Sequence, residues 1–158
     1  MSPTRYMPSS PLAHGKADPL RTATAQIWLA DNGVVHIEPI ARRQQGLDDA
    51  IENVNAVAQV AAGVRRPLLV HFQQAAAQTP ECRAHYTSEG ASRHISACAI
   101  VTSSVLGRVI GNLMIGMSET NLPLKLFDSP QAAEKWLLEN WKPEQRSGIS
   151  QQPPLRSR

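Results

Sequence analysis

From Ala25 to Leu29 apolar and polar positions take turns, with Ala25, Ile27 and Leu29 set against Gln26 and Trp28; Asp31-Asn32-Gly33 then interrupts the run before VVHIEPI begins. A period of two belongs to a strand with unlike faces, and Asn-Gly favours the positive φ of a tight turn. Two antiparallel strands joined by a hairpin are therefore predicted to open the domain. The period then changes. In GLDDAIENVNAVAQVAAG, residues 46–63, Leu47, Ala50, Ile51, Val54, Val57, Ala58 and Ala61 fall on one helical face. Asp48 and Asp49 stand near the positive end of that helix's dipole, and Gly63 is placed to end it.

RRPLLVHF (65–72) and ISACAIV (95–101) are nearly continuous apolar runs, the pattern of central, parallel strands covered on both faces. Helices are required around them. One is predicted from Thr79 and a second in SSVLGRVIGNLMIGM (103–117); a short strand follows in LPLKLF (122–127). The last helix lies in SPQAAEKWLLENW (129–141), with Pro130 at its start and Ala133, Trp136, Leu137 and Asn140 on one face. The order is β-β-α-β-α-β-α-β-α. It predicts an α/β fold: a mixed sheet of about five strands with an N-terminal β-hairpin, flanking helices and right-handed crossovers.

Length and charge refine this picture. A chain of 158 residues with 42% hydrophobic content is one domain with a sizeable core. The formal charge of +3 looks like a nucleic-acid signal until it is divided along the chain. Residues 1–23 carry +2 and residues 142–158 carry +3, so the body, residues 24–141, is −2. No basic face is implied on the fold, and no specific nucleic-acid partner. The two ends, rich in Pro, Ser, Gln and Gly, are predicted to be disordered basic tails; weak contact of these tails with nucleic acid or an anionic membrane stays open. The most apolar stretch, 100–117, carries Arg108 and Asn112 and is broken by Thr102-Ser103-Ser104, which argues against a transmembrane segment. The N-terminus has no apolar run of signal-peptide length, and two isolated cysteines, Cys82 and Cys98, form neither a disulfide framework nor a zinc motif. A reducing, cytoplasmic setting is expected.

The stretch QTPECRAHYTSEGASRH (78–94) gathers one cysteine and two histidines. Thr79 reads as an N-cap, Pro80 as a first helical residue that needs no N–H partner, and Glu81 as a carboxylate facing the dipole. Cys82 and His85 share a face, as a nucleophile and base would, but no oxyanion loop or orienting acid accompanies them. His94 lies nine positions from His85, on the opposite side of any shared helix, so the three cannot converge on a metal. His71 reads as a hydrogen-bonded strand histidine. Ser103 and Ser104, with Arg108 one turn further on, could cap the next helix or hold an anion, and capping alone accounts for both serines. With the strands parallel, Thr79 and Ser103-Ser104 stand beyond the carboxyl ends of neighbouring strands, where open α/β sheets place their contact sites. Gly107 and Gly111 would let the helix approach a neighbour closely or meet a partner.

DNGVVHI, LDDAIENVNAVAQVAAGVRRPLLV, the Thr79-to-Arg83 helix start, ISACAIVTSSVLGRVIGNLMIG and LPLKLFDSPQAAEKWL together resemble the small bacterial STAS/SEC14-type, SpoIIAA-like domains of largely unknown function. The resemblance runs from Ala25 to Leu138. It implies a SpoIIAA/STAS-like fold and a non-enzymatic signalling or scaffolding module that acts by protein–protein interaction, including with itself as a homodimer, and needs no cofactor. In such domains a serine at the start of the helix after a central strand is phosphorylated to control partner binding. The D-S-x-G-like signature around that serine is absent here, and Thr79 is the nearest positional equivalent. Thr79, Arg83, Ser103, Ser104 and Arg108 are thus the candidate phosphoswitch or partner-contact residues, with Gly107 and Gly111 on the expected interaction surface. The SEC14 side of the resemblance implies an alternative, a small-ligand or lipid sensor with a pocket between the 104–117 helix and the sheet.

Overall fold

A computed structural model describes residues 18–40, 42–72, 77–117 and 122–142. Its strands are β1 (Leu20–Arg21), β2 (Ala25–Leu29), β3 (Val35–Pro39), β4 (Arg66–His71), β5 (Ile95–Val101) and β6 (Leu124–Phe127). The helices are α1 (Leu47–Ala61), α2 (Pro80–Tyr86), α3 (Val105–Met117) and α4 (Pro130–Glu139). The six strands lie side by side in chain order. Antiparallel pairing joins β1 to β2 and β2 to β3, and parallel pairing joins β3 to β4, β4 to β5 and β5 to β6. The strand count among the described residues is therefore six rather than about five. The extra strand, β1, sits where residues 1–23 read as tail: Leu20 pairs with Ile27 and Arg21 with Gln26. The remaining residues of the expected disordered ends, apart from 18–23 and Lys142, lie outside the described residues.

Each parallel step moves one place in the same direction across the sheet. Crossovers of uniform hand then carry their helices to the same side. Accordingly Ala56, Val57 and Ala61 of α1 and Ile110 of α3 pack with Ile27, Val35, Ile37, Leu68 and Ile100 of the sheet in one core. A second core on the opposite face joins Ala133 and Leu137 of α4 to Leu69, Ala97, Ala99 and Val101. β5 is buried at every position, as its nearly continuous apolar sequence requires.

The buried side of α1 differs from the expected one. Asp49, Ala50, Asn53, Ala56, Val57 and Ala61 are buried, whereas Leu47 and Ile51 are exposed. Polar residues hold the inner positions because partners from elsewhere satisfy them. Thr22 donates to Asn53 Oδ1 at 2.6 Å, and Asn53 Nδ2 donates to Thr24 Oγ1 at 3.0 Å and to the Tyr86 hydroxyl at 2.9 Å. Asp49 accepts from the Gly46 N–H at 2.9 Å and pairs with Arg43. Asp49's carboxyl is held below the usual carboxylate range, chiefly by the hydrogen bond from Arg43.

The β2–β3 turn is tied to the far end of the domain. Gly33 has φ +92, and a Cβ there would lie 2.7 Å from the Trp141 ring, which is buried just after α4. Trp141 Nε1 donates to the Arg65 carbonyl at 3.1 Å, so turn, β4 and the end of α4 meet at one point. Gly63, also at positive φ (+84), has open space where its Cβ would stand. Gly63→Ala is expected to cost about 1 kcal/mol of unfolding free energy, from backbone strain alone, and Gly33→Ala at least about 2 kcal/mol, since it adds overlap with Trp141. Urea unfolding of the two variants separates these terms; equal losses would remove the Trp141 contact from the account.

Candidate functional site

Thr79 is the N-cap of α2. Its hydroxyl accepts from the Cys82 N–H at 3.1 Å, its own N–H donates to the Gln45 carbonyl at 3.0 Å, and Pro80 takes the first position. Arg83 turns back across the helix start and donates to the Gln78 carbonyl at 2.7 Å. Cys82 is fully buried, with Sγ 3.9 Å from Gln45 Oε1. Burial pushes its thiol up to about 11, with Asp49 adding to the rise and Arg83 opposing it. The thiolate needed for nucleophilic attack is therefore suppressed. Burial likewise raises Cys98, inside β5, to about 12.

Ser104 caps α3 through its hydroxyl, which accepts from the Gly107 N–H at 2.9 Å, and the Ser104 N–H donates to Thr102 Oγ1 at 3.2 Å. Ser103 and Arg108 are exposed. Gly107 and Gly111 face inward: a methyl at Gly107 would overlap Thr102, and one at Gly111 would stand 2.7 Å from Leu126. The two glycines bring α3 down onto the sheet. The outward side of the helix carries Val105, Leu106, Val109 and Leu113, all exposed, with Val105 at 81%.

A cavity of about 110 Å³ lies between the sheet and the helices that cover its α1–α3 face. Ile37, Leu68, Val70, Cys98 and Ile100 form its floor, Val54 and Val57 of α1 one wall, and Met114 reaches it from α3. Polar groups gather on one side. Tyr86 donates to Gln45 Oε1 at 2.8 Å and accepts from Asn53, while Gln78, 7% exposed, has a buried Oε1 with no hydrogen-bond partner. Gln45, Asn53 and Gln78 did not stand out in the sequence, since each sits in a helix or loop where it reads as surface; Tyr86, four residues from Cys82, lies on the face of α2 that the sequence allowed to pack inward.

His71 has a partner that sequence reasoning passed over. His36 Nδ1 and His71 Nε2 are 2.9 Å apart, and the two rings stack with each other and with Trp28 at centroid separations of 5.1 to 5.7 Å. The group lies on the α4 face, on β2, β3 and the end of β4, beside Gln26 and Glu38. Burial, then the charge of His71, lowers His36 to about 3; burial lowers His71 to about 4 and raises Glu38 to about 7. Two neutral imidazoles sharing one N–H···N bond are the form this site favours. No cluster of three or more His, Cys, Asp or Glu side chains suited to a metal ion occurs among the described residues, and no described helix is long and apolar enough to cross a membrane.

The comparisons with known proteins give a family and a structural likeness. Residues 27–140 match the model of a family described as a domain of unknown function, DUF7793. An uncharacterised protein of the DUF3478 family from Shewanella loihica PV-4, with a SpoIIAA-like fold, is similar in structure. It is 15% identical, covers 78% of this chain and 94% of its own, and superposes with a TM-score of 0.50. No curated protein matches.

The buried titrating groups set a pH dependence of two opposed signs. The histidines, lowered in the fold, contribute stability that is complete above their ordinary value of 6.5 and is lost as pH falls toward 4 and 3. Glu38, raised in the fold, contributes stability that is complete below 4.5 and is lost as pH rises through about 7. Glu38→Gln, which mimics the protonated acid, is expected to match the unaltered protein near pH 4 and exceed it by about 2 kcal/mol at pH 8. Denaturant curves at the two values check this; a constant difference would mean that Glu38 is not buried as described.

Proposed function

The chain belongs to the DUF7793 family of domains of unknown function, and from its surface we propose that it is a non-enzymatic, SpoIIAA-like regulatory or scaffolding domain that works by protein–protein contact, first of all with a second copy of itself. The observation that carries this reading is the outer side of α3. Val105, Leu106, Val109 and Leu113 form an exposed apolar stripe, and monomeric surfaces seldom leave such a run uncovered. The stripe runs over nine residues, Val105 to Leu113, about 12 Å of helix.

A second copy suits it on chemical grounds. α3 contains no carboxylate and a single cation, Arg108, so the stripe demands no complementary charge pattern and can face itself across a two-fold axis. Each side chain so covered would contribute about 1 kcal/mol, discounted for its present half-burial. Phosphorylation of Thr79 would add about −1.5 to −2 charge at the start of α2, beside Arg83, and in this reading would bias the same assembly.

Sedimentation velocity over a concentration series is the direct test. A dimer that Val109→Asp converts to monomer, with unchanged melting temperature, is the expected result; a monomer at every concentration up to several hundred micromolar sinks self-association. Thr79→Glu is expected to weaken the dimer severalfold while leaving the fold intact. An unchanged dissociation constant would confine the contact to α3 and remove Thr79 from the switch.

A further inference from the structure

From the cavity beneath α1, α2 and α3 we infer a binding site for a small, uncharged organic molecule that carries one hydrogen-bond donor, an alcohol or phenol of about six to eight non-hydrogen atoms. This inference is independent of the self-association reading. Size is its first support. The cavity measures about 110 Å³, the same order as an engineered cavity of about 150 Å³ that holds benzene. A phospholipid or long-chain fatty acid could not be enclosed in that volume.

Charge is the second support. Among the described residues, no Asp, Glu, Lys, Arg or His lines the cavity. An ionised ligand would lose its hydration with no counter-ion to replace it, a loss of several kcal/mol. The walls thus select neutral molecules over carboxylates, phosphates and amines.

Gln78 supplies the third support and the orientation. The Asn53, Tyr86 and Gln45 groups on the same side are engaged with one another: Asn53 donates to Tyr86 at 2.9 Å and Tyr86 donates to Gln45 Oε1 at 2.8 Å. Gln78 Oε1 is different, being buried and without a hydrogen bond, while its residue lines the cavity. A buried acceptor left open costs free energy that a donor on a ligand returns. A hydroxyl placed there, with its apolar body against Ile37, Leu68 and Ile100, satisfies both parts of the cavity.

Phenol, benzene and benzoate are the probes, titrated into the full-length protein and followed by calorimetry and by shifts of cavity methyl groups in NMR spectra. The expected order is phenol tighter than benzene by about tenfold, the worth of one otherwise unmade buried hydrogen bond, with no benzoate binding at neutral pH. Gln78→Leu is expected to abolish the preference for phenol while keeping benzene binding. Absence of all binding at millimolar concentration overturns the site. Equal affinity for phenol and benzene overturns the role of Gln78, leaving that oxygen to an ordered water. Should Gln78→Leu fail to fold, the phenol-to-benzene ratio of the unaltered protein decides, and benzoate binding as tight as phenol binding refutes the exclusion of charge.

Discussion

The hand of the crossover connection governs this molecule. β3, β4, β5 and β6 are parallel and lie in chain order, so α1, α2 and α3 are carried to one face of the sheet by the same steric preference acting three times. The other face receives α4 by way of the chain that follows β6. Every feature with functional interest follows from this imbalance. Three helices crossing one face leave a seam beneath them, where the cavity lies, and the last of them, α3, shows its outer side to solvent. The thinly covered face keeps the polar residues of β2 and β3, and there the two imidazoles meet.

The two faces deal differently with buried polar groups. Over the cavity, Thr22, Thr24, Asn53, Tyr86 and Gln45 form a chain in which hydrogen bonds pass from the first strands through α1 to α2. That chain fixes the rotation of α1 and explains why Asn53 is buried and Ile51 is not. On the α4 face the polar groups are less fully satisfied. His36 Nε2, Gln26 Nε2 and Glu38 Oε1 are buried without hydrogen-bond partners among the described residues. Neutral imidazoles and a protonated acid are what such a place allows, because each unpaired charge would lose its hydration.

Much of the architecture was legible as sequence because period and punctuation were clear. Alternation at 25–29 with Asn32-Gly33, nearly continuous apolar runs at 65–72 and 95–101, and the Thr79-Pro80 and Ser129-Pro130 starts each became the expected element. β1 was not legible, since two residues have no period. Nor was the inner face of α1, where apolar Leu47 and Ile51 point out and polar Asn53 points in; only partners distant in sequence make that arrangement favourable. At the candidate sites, caps could be read from the residues themselves, whereas a pocket under the 104–117 helix was implied only by the SEC14 side of the resemblance and its lining was not legible. Thr79 and Ser104 are recognisable from their own neighbours, whereas the void beside Gln78 is a product of side chains from eight elements. His36 was missed for a related reason: alternation sends it to the polar side of β3, and that side is buried.

Because spatial order in the sheet repeats chain order, each strand finds its partner in the one made just before or just after it. No strand is inserted between two already paired, and none has to wait for a distant segment. Parallel sheets commonly fold slowly because distant strands must meet before their contacts give any return. Here the longest wait is a single βα unit, so the sheet can grow by addition at one edge during synthesis, from the hairpin through β6. The aggregation-prone open edge at any moment is then the latest strand, and the helix that follows β6 returns to cover the face behind it.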